Sequence, residues 1–231
     1  MDITHHFLSG FKSLFTEWTY EGMENSRIAC GGAGFLKASG FAELQNFYSP
    51  MPTFEGDNTV MLQQSARYLF KLLKKSGKGK KIEAPFEYIN EIDGLLSTNC
   101  VCLGITPEHF LDLNNLDEAF KVKTAFLCKT VSTAYNASKE PEKEKANDIF
   151  AAEVNEMAKT HLKYVAFHIY ISKIREGKFK DHKILPIMEL VGKVFALNEL
   201  TTDCQQCFAS GYFGEKTTYN SLHEAYKLAL N

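Results

Sequence analysis

One short stretch gathers the residue types that move protons: Pro52-Thr53-Phe54-Glu55-Gly56-Asp57-Asn58-Thr59-Val60. Glu55 stands between an aromatic residue and a glycine, just before a helix should begin. Pro50 and Pro52 keep the approach extended, so a carboxylate is delivered at a helix entrance by a stiff segment. Asp57, Asn58 and Thr59 are all suitable N-caps for the helix that follows. An acid at this place also has a purely local use, because carboxylates near a helix N-terminus complement the macrodipole and the bare N–H groups. From these nine residues alone both readings stand.

A second cluster, Gly31-Gly32-Ala33-Gly34, is either a helix stop or a loop whose bare backbone must approach something closely. A single glycine suffices for a stop, so three in four residues favour the loop. Its N–H groups are able to hold phosphate oxygens, although the spacing is not that of a P-loop. Cys204 and Cys207 have the spacing of a redox or zinc pair, but no second pair with that spacing exists and Cys100-Val101-Cys102 is too tight to complete it. His161 and His168 lie seven apart on one predicted helix without the i, i+4 spacing of a metal pair. No metal site is predicted.

Helices must position these residues. Phe7, Phe11, Leu14, Phe15 and Trp18 recur at three- and four-residue steps, which predicts an amphipathic helix from about Thr4 to Cys30. Residues 35–58 read as irregular chain with one short helical turn around Ala42–Phe47. The helical period returns from Thr59 to about Lys75 through Val60, Met61, Leu62, Ala66, Leu69, Phe70 and Leu73. Ser76-Gly-Lys-Gly-Lys-Lys81 reads as a flexible linker. Further helices are expected to start at Thr106-Pro107-Glu108, to run from an Asn115-Leu116-Asp117-Glu118 cap to Ser138, and to span 147–175, 184–200 and 218–230. The predicted class is all-α, a helical bundle in two parts, residues 1–81 and 82–231.

The 231 residues suffice for a real core. A net charge of −2 from 26 basic and 28 acidic side chains gives no bulk electrostatic drive towards nucleic acid or a membrane surface. No apolar run approaches a membrane span, and Met1-Asp2-Ile3-Thr4-His5-His6 does not open a secretory leader. Six scattered cysteines do not form a disulfide framework. The chain reads as soluble and intracellular, with small-molecule or protein partners.

Taken in order, Arg27-Ile28-Ala29-Cys30-Gly31-Gly32-x-Gly34-Phe35, then Ser39-Gly40, then Pro52 to Val60 and Leu62-Gln63-x-x-Ala66-Arg67-Tyr68-Leu69 resemble the C-terminal part of a peroxisomal acyl-CoA oxidase. Phe208-Ala209-Ser210-Gly211-Tyr212 extends the resemblance more loosely. The resemblance implies the C-terminal helical domains of that fold without its N-terminal helical and central β domains. It implies flavin chemistry: FAD takes a hydride from the β-carbon of a fatty acyl-CoA, a base removes the α-proton, and oxygen is reduced to hydrogen peroxide. By resemblance Glu55 is the base, expected to be desolvated once acyl-CoA is bound. The Gly56 N–H is the donor to the thioester carbonyl. Gly31, Gly32 and Arg27 are implied contacts to the FAD of a neighbouring subunit, and Asp57, Asn58 and Thr59 contacts on the other side of the flavin.

Ala33 and Phe35 replace the family's usual histidine and tyrosine. Ala229-Leu230-Asn231 is not a Ser-Lys-Leu type address, so a peroxisomal location rests on resemblance alone, with the cytoplasm as the alternative. The expectation is a fragment or split half of the oxidase, working as a homodimer or with a complementary chain that supplies the missing FAD domains. The alternative is an inactive helical remnant that serves assembly. As an isolated chain it is expected to be inactive.

Overall fold

A computed structural model describes residues 2–104, 106–177, 183–214 and 216–231, and every regular element among them is helical. Helix α1 spans Ile3–Ala29, followed by 3-10 turns at Gly31–Phe35 and Lys37–Ser39, α2 (Phe41–Tyr48) and α3 (Asn58–Ser76). A 3-10 turn at Glu87–Glu91 runs into α4 (Ile92–Leu95), and another at Pro107–Leu111 precedes α5 (Leu113–Ala137). Then come α6 (Glu142–Glu144), a π turn at Lys145–Ile149, α7 (Ala151–Arg175), α8 (Leu185–Thr202), α9 (Gln205–Ala209) and α10 (Lys216–Leu230). The all-α class is as expected.

Two local expectations are corrected. The glycine cluster, whose sequence favours a loop over a helix stop, is wound: Gly31 takes the left-handed conformation at φ +57 after α1, and the next residues form a 3-10 turn. The Thr106-Pro107-Glu108 start yields only one 3-10 turn, and the long helix is capped earlier than Asn115. The Asp112 carboxylate accepts the Asn114 amide at 2.7 Å, because its extended backbone leaves the side chain poised over the first turn.

The chain divides into two compact units. The first comprises Met1–Lys71 and Glu140–Leu162. Its core is Leu14, Leu62, Ala66, Leu69, Val154, Met157 and Leu162, all essentially inaccessible. Gly10 permits the close approach of α1 and α7, since a Cβ there would lie 2.5 Å from Leu162 Cδ1 and 2.9 Å from Ser65 Oγ. Beside it His6, fully buried, faces the Ser65 carbonyl through Nδ1 at 3.0 Å and His161 Nε2 through Nε2 at 3.3 Å. If Nδ1–H donates to that carbonyl, Nε2 of His6 accepts from His161, and both rings are neutral. Burial is the first cause of that neutrality: it lowers the His6 pKa to about 4, and that of His161 falls in the same direction.

The second unit comprises Leu72–Lys139 and Lys163–Asn231. Phe120 sits at its centre, with Tyr164, Phe167 and Phe195 at ring-centre distances of 5.8, 6.0 and 6.5 Å. Helix α8 packs against α5 and α10. The buried Lys123 ammonium reaches the Glu199 and Asp203 carbonyls at 3.1 and 2.6 Å, placing a cation at the negative end of α8. His168 Nδ1 lies 3.0 Å from Asp117 Oδ1, and that carboxylate raises the His168 pKa. No described helix is long and apolar enough to cross a membrane.

Candidate active site

The proline-containing approach becomes a series of turns. Pro50 O accepts the amides of Thr53 and Phe54 at 3.0 and 2.7 Å, and Pro52 O accepts that of Asn58 at 3.0 Å. The chain thus closes on itself and carries Glu55 to the tip. There Glu55 adopts φ +59, the one non-glycine residue at positive φ among those described. A side chain in this region crowds the following carbonyl, so the conformation costs about 1–2 kcal/mol relative to the right-handed one. Gly56 follows at φ +115, where a Cβ would also lie 2.8 Å from Met61 Sδ. Only glycine meets both conditions.

Asp57 stands just before α3: its carbonyl accepts the Met61 amide at 2.9 Å and its carboxylate accepts the Thr59 amide at 2.9 Å. Asn58 does something different. Its side-chain amide donates to Ser13 O at 3.1 Å and Thr16 Oγ1 at 3.0 Å, and its oxygen accepts from Lys12 at 2.9 Å. Thr59 is exposed and lines a cleft of about 460 Å³ with Glu17, Tyr20, Ser49, Asn155 and Lys159. Glu17 and Lys159 close one side of it as an ion pair at 2.7 Å.

Glu55 itself is exposed, and its side chain makes no hydrogen bond or ion pair among the described residues. The desolvation expected once acyl-CoA is bound is not supplied by the described residues of this unit. What the unit supplies is the backbone beneath it. The Lys12 ammonium reaches Gly56 O at 2.7 Å and Pro52 O at 3.2 Å, in addition to Asn58 Oδ1. Burial lowers the Lys12 pKa, while the nearby charges of Asp57 and Glu55 oppose that shift. Sequence reasoning missed Lys12, Ser13 and Thr16. The available signal was their polar i, i+1, i+4 spacing on a helix whose neighbouring positions are apolar.

Arg27 and the glycine cluster form a second group. Lys12 and Arg27 lie fifteen residues apart on α1, about 22 Å along its axis. Glu24 takes the Arg27 guanidinium in a bidentate pair, through Nε at 2.8 Å and through Nη2. Gln45 also donates to Glu24, at 2.6 Å. Arg27 first, and Gln45 second, pull the Glu24 pKa down to about 2. The guanidinium carbon lies 4.2 Å over the Phe35 ring. Arg27 Nη1 is buried without a hydrogen-bond partner among the described residues.

The three glycines are not equivalent. A Cβ at Gly34 would lie 2.1 Å from the Arg27 carbonyl, so that position packs directly on the end of α1. Gly31 needs its positive φ. Gly32 has neither reason: it is exposed and a Cβ there would meet nothing within 4 Å.

The remaining chemistry-bearing residues are absorbed by the folds of their units. Cys204 and Cys207 are both free thiols, and burial pushes the Cys207 pKa up. No group of three metal-ligating side chains occurs among the described residues. His161 and His168 do not act together: the first pairs with His6 and the second with Asp117.

With this geometry in hand, comparison with known proteins is specific. The acyl-CoA oxidase C-alpha1 domain matches residues 1–70 and the acyl-CoA oxidase family model matches residues 112–231. Mouse peroxisomal acyl-coenzyme A oxidase 1 is 28% identical over 197 residues, 84% of this chain and 29% of that protein. A putative peroxisomal acyl-coenzyme A oxidase 1.2 of Arabidopsis thaliana is 33% identical over 193 residues, 84% of this chain and 28% of that protein. The crystal structure of a tomato acyl-CoA oxidase superposes with a TM-score of 0.87 at 26% identity, covering 98% of this chain and 34% of that one. Acyl-CoA oxidase-1 of Caenorhabditis elegans, complexed with FAD and ATP, shares the fold with a TM-score of 0.83 at 22% identity, over 98% of this chain and 33% of that one. The chain therefore spans under a third of the length of the curated relatives it matches. On the strength of the two matched regions and these relatives, this chain belongs to the acyl-CoA oxidase family.

Proposed function

We propose that this chain is a fragment or split half of an FAD-dependent acyl-CoA oxidase and that Glu55 is its α-proton base. Residues 1–81 then carry the reacting turn and the glycine cluster, and 82–231 the second helical part, whose segment Glu140–Leu162 belongs to the compact unit of the turn. The observation that supports the reading is conformational. Glu55 occupies a costly left-handed conformation at the tip of a braced turn, and its side chain contributes no hydrogen bond among the described residues. A carboxylate held at a cost to the fold and turned to solvent has its use in chemistry. In this reading a Glu55 oxygen accepts the α-proton of a fatty acyl-CoA. The Gly56 N–H donates to the thioester carbonyl, on which negative charge develops as that proton leaves.

FAD, when bound, accepts the hydride from the β-carbon. Gly31 and Gly32 would approach it across a subunit boundary with bare backbone, and the absence of any contact in this chain that demands glycine at position 32 fits that use. The unused Arg27 Nη1 offers a donor at the same end of α1. Asp57 and Thr59, both exposed, remain candidates for the other side of the flavin, whereas the Asn58 side chain is engaged with α1 and acts as an anchor of the turn. The partner is a second copy or a complementary chain with the FAD-holding domains, and the peroxisome is the proposed location.

A second reading, a catalytically inactive assembly subunit, draws on Ala33 and on the Phe35 ring beneath Arg27. Recovery of the chain from its native cells separates the two. The oxidase reading expects a flavin-bearing partner and acyl-CoA-dependent peroxide formation that Glu55→Gln abolishes with the flavin retained. Full turnover in Glu55→Gln removes Glu55 from its role.

A further inference from the structure

Lys12 belongs to none of the motifs that single out the Glu55 turn, yet its ammonium is wholly engaged by that turn. A lysine ammonium has three N–H donors. Here three acceptors meet it: Pro52 O at 3.2 Å, Gly56 O at 2.7 Å and Asn58 Oδ1 at 2.9 Å. These acceptors bracket Glu55, three residues before it and one and three after it. Two are backbone carbonyls, so the contact fixes peptide planes and not merely a neighbouring side chain. The turn needs such a brace, because Glu55 at φ +59 would relax towards the right-handed region if its flanks were free.

The brace has its own support. Ser13 Oγ donates to Asn58 O at 3.1 Å, and Thr16 with Ser13 O holds the Asn58 amide whose oxygen faces Lys12. Lys12 thus connects the face of α1 that carries the buried Ser9, Ser13 and Leu14 to a turn whose residues 53–57 are all exposed. Charge-assisted bonds of this kind are shorter and stronger than neutral ones. We propose that Lys12 is the positioning residue of this turn, fixing the backbone on both sides of Glu55 and so setting the direction in which the Glu55 carboxylate and the Gly56 amide meet an acyl-CoA. The catalytic consequence rests on the reading of Glu55 as base; the hold on the turn does not.

The test compares the full chain with Lys12→Met, which keeps an unbranched stem as far as Cε and removes the ammonium with all three donors, and with Lys12→Arg. Amide hydrogen exchange is followed at residues 53–61 and at core amides of α1 and α3. Peroxide formation is measured in the assembly that carries the chain, beside Glu55→Gln. Lys12→Met should speed exchange at 53–61 at least tenfold with core amides unchanged, and lower kcat by about a hundredfold with KM for acyl-CoA within threefold, as for a misplaced reacting group. Lys12→Arg should recover part of both effects. Unchanged exchange at 53–61 in Lys12→Met overturns the inference whatever the activity, and so does faster exchange with kcat unaltered. An active Glu55→Gln refutes the functional reading instead, and the exchange result then decides the hold of Lys12 by itself.

Discussion

Replacing Glu55 by glycine should stabilise the first unit while removing its proposed chemistry. In the folded state Glu55 sits at φ +59 with its side chain exposed and no hydrogen bond among the described residues. Relief of the left-handed conformation is worth about 1–2 kcal/mol. Against this, glycine gives the unfolded chain more freedom, which costs about 0.4–1 kcal/mol. The balance is a gain of about 0.5–1 kcal/mol, and for alanine, which keeps the strain and the stiffness, a change near zero. Trp18 is the sole tryptophan and lies on α1, so urea unfolding followed by its fluorescence reports on this unit. Glu55→Gly should raise the midpoint without changing the m-value, and the assembly that contains it should form no peroxide. A loss of more than about 1 kcal/mol in Glu55→Gly would refute the reasoning, because it would mean that the glutamate side chain supports the fold.

Glycine substitutions should separate structure from function in the 31–35 turn. Gly34→Ala drives a Cβ into the Arg27 carbonyl and should destabilise the first unit by about 1–3 kcal/mol, whereas Gly32→Ala should leave its stability within about 0.5 kcal/mol and lower flavin retention in the assembly. Urea midpoints and flavin absorbance check the pair. The buried His6 should make the same unit acid-sensitive. Its folded pKa of about 4 lies below the ordinary 6.5, so the unfolded state binds the proton first. Stability should hold above pH 6.5 and fall by on the order of 3 kcal/mol as pH drops towards 4, measured as the Trp18 midpoint across that range. The second unit has the opposite sign. The His168 pKa is raised by Asp117, so that contribution is complete below pH 6.5 and is lost as pH rises through the raised value. Asp117→Asn should remove this alkaline decline, read by near-ultraviolet circular dichroism.

The parts of this molecule that were legible in the sequence are those governed by short-range repetition. Leu62, Ala66 and Leu69 fall in the core of the first unit because a 3.6-residue period puts them on one face of α3. The start of α5 was misplaced by a few residues, since Asp112, Asn114 and Asn115 are all chemically competent caps and only the extended backbone at Asp112 decides among them. Contacts between distant segments left no local pattern. Lys12 meets Gly56 across 44 residues and His6 meets His161 across 155, and neither partner carries a periodic signal. Glu55 was singled out by its neighbours Pro52, Phe54 and Gly56. Its left-handed backbone could not be foreseen, because a glutamate disfavours the conformation that the turn imposes.

The proposed role of Glu55 in taking the α-proton is tested most directly by α-hydrogen exchange of a saturated acyl-CoA with deuterated water, run anaerobically in the flavin-loaded assembly and read by mass spectrometry. Exchange is expected with the native chain, with a fall of about 10²–10⁴-fold in Glu55→Gln, the usual contribution of a positioned base. Equal exchange by the two proteins, with flavin bound in both, would contradict that role.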